Sequence, residues 1–80
     1  MSVELVKLEK VPDHPWIRAV AEFRVHGLRL RGLKLEQHRE GWRLTPPGRR
    51  LRGGWQTVFS IDDRRLQQAM MEAVLHHGGM

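Results

Sequence analysis

Residues 16–25, WIRAVAEFRV, alternate apolar and polar side chains along their length. A period of two over such a run permits little besides a β-strand with one buried face. Ile17, Ala19, Ala21, Phe23 and Val25 fall on one side, and Trp16, Arg18, Glu22 and Arg24 on the other. His26-Gly27 then supplies a tight turn. In the next run, LRLRGLKLE, Leu28 and Leu30 share one phase and Leu33 and Leu35 the other, with Gly32 between them. An extra residue at Gly32, a β-bulge, restores all four leucines to one buried face. VELVKLEKV, residues 3–11, slips in the same way and reads as a first strand ending at Val11, because Pro12 and Pro15 interrupt the chain beyond it. After a turn at His38 to Gly41 come a short strand, Trp42 to Thr45, a loop framed by prolines and glycines, and a last strand in WQTVFSI, residues 55–61.

From residue 62 the period changes. Leu66, Ala69, Met70, Ala73 and Val74 recur at helical spacing, Asp62 and Asp63 sit where an N-cap and first-turn acids belong, and Gly78-Gly79 marks the end. The fold expected is α+β: an antiparallel sheet of about five strands, bulged near Gly32, with one C-terminal amphipathic helix on one face. Residues 1–80 form a single domain with no repeat or linker. One helix covers one face of a sheet, so the other face meets solvent, a ligand or a second subunit.

Eighty residues bury only about 60% of their unfolded surface, which makes a partner subunit useful. The chain has no Cys, so disulfides and thiolate metal sites are excluded, and a cytoplasmic location is expected. No apolar run approaches the ~20 residues of a membrane span. The net charge of +5 is concentrated in the middle. Arg18, Arg24, Arg29, Arg31 and Lys34 face one acid, Glu22, in residues 16–35, and Arg43, Arg49, Arg50 and Arg52 face none in residues 41–55. A localised positive surface of this kind attracts phosphate backbones.

The order of VKLEKV, the alanine-rich second strand and its turn, GLKLE, GWRLTP at 41–46 and MMEAVL in the final helix resembles the SpoVG family, the septation regulators named for sporulation stage V protein G. The resemblance spans residues 3–76. It implies a small sheet with a C-terminal helix, homodimerisation through the sheet, and DNA binding, with RNA also implicated, in bacterial regulation of division and development. The chain departs from the family at Phe59-Ser60, where relatives carry a His-Pro pair before the helix. Arg64 or Arg65 stands where family members place a basic residue.

Catalysis has no foothold in this sequence. Ser2 and Ser60 are the only serines, neither in a nucleophile motif, and no phosphate-cradling glycine motif is present. Adjacent Asp62 and Asp63 suit capping, and His76-His77 suits a helix end better than a metal. No enzyme activity, cofactor or small-molecule substrate is expected. Trp16, Trp42 and Trp55 each open a strand beside a turn. They close the ends of a thin core, contribute to a dimer contact, or stack on unpaired bases. Arg43, Arg49, Arg50 and Arg52 are the expected phosphate contacts, and Arg64, Arg65 and Gln68 the helix positions that tune sequence preference. Trp16 and Val20 are the expected dimer contacts. A second reading is a dimeric interaction module whose basic face docks an acidic protein.

Overall fold

The computed structural model describes residues 3–77. Strands β1 (Val3–Lys10), β2 (Ile17–Val25), β3 (Leu28–His38) and β4 (Gly41–Thr45) form an antiparallel meander in the order β1-β2-β3-β4. A second, two-stranded sheet comes next, β5 (Gly48–Leu51) against β6 (Gly54–Thr57), and then α1 (Arg64–His77). The α+β class and the C-terminal helix are as expected, but among the described residues the strands number six and divide between two sheets.

The helix lies on one face of the meander, against β1 and β4. Ala19, Ala21, Phe23 and Val25 from β2, Leu33 and Leu35 from β3, and Met70 and Val74 from α1 form one buried cluster. Two alanines keep the sheet surface low where the larger helix side chains complete the core. The helix begins at Arg64, and Asp63 is its N-cap: Oδ1 accepts from the amides of Arg65 (2.8 Å) and Leu66 (3.3 Å). The stop expected at Gly78-Gly79 lies outside the described residues.

The bulge at Gly32 is present. Ala21 pairs with Leu33 and Phe23 with Leu30, so β3 spends one more residue than β2 across this interval. Gly32 takes the extra position at φ +78°, a conformation that L side chains rarely adopt. Leu33 and Leu35 are buried and Leu30 packs at the edge of the cluster. Leu28 is not buried: it is 63% exposed, which corrects the expectation for all four leucines. β4 pairs with β3 only from Lys34 to His38, so the first half of β3, paired with β2 on one side, is a sheet edge on the other, and no strand flanks Leu28 there. A slip in β1 falls between Leu5 and Lys7, leaving Val3, Leu5 and Leu8 on the core.

A further bulge lies between Ile17 and Ala19. Ile17 pairs with Glu36 and stands outside the core cluster, while Arg18 donates to Gln37 Oε1 at 3.2 Å and to the His14 carbonyl at 3.3 Å. The assignment of Ile17 to the buried side therefore fails, because one extra residue reverses the phase at that end of β2. The last strand is also shorter than expected, since β6 ends at Thr57 and residues 58–63 form no strand. Phe59 and Ile61 reach the edge of the core from that segment, whereas Val58 is exposed. Among the described residues no helix is long and apolar enough to cross a membrane.

Candidate nucleic-acid interface

The stretch 46–55 is a β-hairpin rather than a loop. Thr45 makes the last pair with β3, opposite Lys34, and Pro46-Pro47 cannot extend that ladder because proline has no amide proton. The chain turns away, and the Val58 amide donating to the Pro47 carbonyl at 2.9 Å closes the base of the hairpin. Gly48 pairs with Thr57, Arg49 with Gln56, Arg50 with Trp55 and Leu51 with Gly54, leaving Arg52-Gly53 as the tip. The backbone ladder orders this segment, so no ligand is needed to hold its shape.

Period two separates the arginines. Cross-strand partners share a side, which puts Arg50 with Trp55 and Arg49 with Gln56 on opposite faces of the ribbon, and Arg52 at the tip. Arg49, Gln56, Thr57 and Val58 line a shallow concavity of about 310 Å³. On the other side, Lys34 reaches from the sheet to place Nζ 5.5 Å from the centroid of the Trp55 ring. Pro47 stands over Gly32, 3.3 Å from where a Cβ would be. These two contacts tie the hairpin to the face of the meander that the helix leaves open.

Charge pairing distinguishes the two basic segments. Arg24 is held by Glu4 at 3.2 Å, Arg29 and Arg31 by Glu22 at 3.5 and 3.3 Å, and Lys7 by Glu9 at 2.8 Å. Three of the five cations of residues 16–35 are thus engaged by two acids, Glu4 and Glu22, within the sheet. Arg43, Arg49, Arg50 and Arg52 are exposed and enter no ion pair among the described residues. Arg43 stands across from Glu36, whose carboxylate is engaged by His38 Nε2 at 2.7 Å.

Arg64 and Arg65 are exposed on the first turn of α1, and Gln68 donates to Glu72 Oε1 one turn along. No hydrogen bond or ion pair joins these three to the hairpin among the described residues. The expected set therefore falls into two groups, one on the ribbon and one on the helix. Trp42 packs against the core, Trp16 is 47% exposed with its ring edge-on to His14, and Trp55 is 65% exposed. Val20 lies half-buried on the open face, between its strand partners Glu9 and Lys34. Lys34 is the residue sequence reading missed. Its place in an alternating strand carries no sign of the ring that pairing brings to it.

No protein-family model and no curated protein matches this chain.

Proposed function

We propose that this chain is a nucleic-acid-binding regulator of the SpoVG kind, a small basic cytoplasmic homodimer that grips the phosphates of DNA, and of RNA, without catalysing a reaction. The observation that carries the reading is that the exposed Arg43, Arg49, Arg50 and Arg52 enter no ion pair among the described residues, whereas Arg24, Arg29 and Arg31 are engaged by Glu4 and Glu22. A guanidinium is always charged, and its planar fork donates two hydrogen bonds to phosphate oxygens. Such contacts supply affinity irrespective of sequence, and Arg64, Arg65 and Gln68 tune preference.

Replacing Arg49, Arg50 and Arg52 together by Ala tests this. Each phosphate contact adds about 0.9 to the magnitude of the log–log salt slope on B-DNA, so the triple variant flattens the slope by about two to three units. Binding weakens on all sequences alike. The fold persists, because the three side chains are exposed. Unchanged affinity and slope in a filter-binding titration reject the role. A wild-type protein that ignores nucleic acid but captures an acidic protein partner moves the assignment to an interaction module.

A further inference from the structure

Trp55 presents an indole to solvent in a protein with few large side chains to spare for its core, and several contacts fix the ring where it stands. Its side chain lies against Gly48, the diagonal neighbour across the hairpin, so closely that an added Cβ would collide with the indole Nε1. Lys34 Nζ is over the ring at 5.5 Å, and Arg50 is the direct cross-strand partner. Trp42, in contrast, is partly buried and packs against the core. A preformed aromatic surface, beside cations that enter no ion pair among the described residues, offers a π-face for stacking and charges for the backbone on either side.

We propose that Trp55 is a stacking platform for an unpaired base, so that the β5–β6 hairpin takes single-stranded nucleic acid in preference to duplex. The inference rests on the nucleic-acid reading above and names the ligand class. A base within a duplex already stacks on both faces, and only an unpaired base has a face to give to the indole. Arg49 and Arg50, on opposite faces of the ribbon, engage phosphates on the two sides of the stacked base, and Lys34 moves from the ring to the backbone as the base arrives. Gly48 is required because any side chain there displaces the indole.

The test titrates wild-type protein, W55F, W55A and G48A with a labelled deoxythymidine oligonucleotide and with a mixed-sequence duplex of equal phosphate number, by fluorescence anisotropy. Wild type binds the single strand more tightly. W55A and G48A lose about 5- to 150-fold on the single strand, the range found for removing one stacked base, and little on the duplex. W55F retains most of the single-strand affinity. A protein with Trp16 and Trp42 replaced by Phe, leaving Trp55 as the sole tryptophan fluorophore, is quenched by the single strand and not by the duplex. Single-strand affinity unchanged in W55A, together with loss in the triple arginine variant, overturns the platform and leaves the phosphate reading intact. Wild type binding neither polymer overturns both. A dimer that dissociates in W55A assigns the ring to a contact between copies, and also overturns the platform.

Discussion

Glu36 is 9% exposed, on the open face of the sheet, and its charge is kept by its neighbours. Burial pushes its carboxyl up, but the hydrogen bond to His38, the nearby Thr45 hydroxyl, and the charges of His38 and Lys34 outweigh this and hold its pKa below the ordinary value. The Thr45 hydroxyl is buried without a hydrogen bond of good geometry, so the His38 contact is the firmer of the two. A carboxyl whose pKa is lower in the folded chain contributes stability above its unfolded pKa, and loses it as pH falls through the folded value. The wild type is therefore expected to lose stability on acidification below about pH 4.3, the unfolded Glu value. Urea midpoints measured at neutral pH and in acid should differ less in E36Q than in the wild type. An identical acid-induced drop in both proteins removes Glu36 from this role.

At the scale of the element, the helix is anchored by a cap and two side chains. Asp63 satisfies two of the amides that every helix start leaves unpaired, and nothing acidic stands in the first turn, where Arg64 and Arg65 oppose the helix dipole. Asp63→Ala is expected to cost about 0.5–2 kcal/mol. Asp63→Asn, which retains the acceptor, should cost much less, and chemical denaturation of the two variants measures the difference. The hairpin is governed by other terms. Residues 48–57 bury little, and their order comes from the ladder, the Pro47–Val58 closure and the contacts at Gly32, Gly48 and Lys34. Isolated two-stranded ribbons are marginal in water, so these tethers to the main sheet keep Arg49, Arg50 and Trp55 in fixed relation.

For the whole molecule, the C-terminal helix packs against β1 and β4 and leaves other surfaces of the sheet uncovered. The open face of the meander is charged around Val20, with Glu22 shared by Arg29 and Arg31. A more apolar surface lies at the first half of β3, which β4 does not flank. There Leu28, Leu30, Phe59, Ile61 and Leu66 line a groove of about 340 Å³, with Val58 exposed next in the chain to Phe59. The proposed homodimer gains more from burying this groove than from Trp16 and Val20, because apolar area contributes about 25 cal/mol per Å² while exposed ion pairs contribute little. Sedimentation at micromolar concentration should show a dimer that weakens in L28D and persists in V20T. A monomer at every concentration tested rejects the dimer, and loss in V20T alone returns the contact to the open face.

The sequence by itself determined the elements whose signal is local. Alternation in residues 16–25, the phase change at Gly32 and the i, i+3, i+4 run after Asp63 each reflect side-chain periodicity along one segment, and a β-bulge or an N-cap is a property of neighbouring residues. Periodicity failed where its phase was broken without a glycine to mark it, as at Arg18, and where burial depended on a strand that does not reach, as at Leu28. In the hairpin, β6 was legible as the start of the strand read in WQTVFSI, whereas the β5 side was legible only as basic and bounded by Pro and Gly, because a four-residue strand carrying two arginines has too few apolar positions to show a period. Tertiary structure decided which arginines are neutralised, since Glu22 meets Arg29 and Arg31 only across a register, and which tryptophan is displayed. Trp42 and Trp55 look alike in the chain, each directly after a glycine at the start of a strand. One strand pairs with the main sheet and lays its ring against the core, while the other pairs only within the ribbon and leaves its ring against Gly48, beneath Lys34.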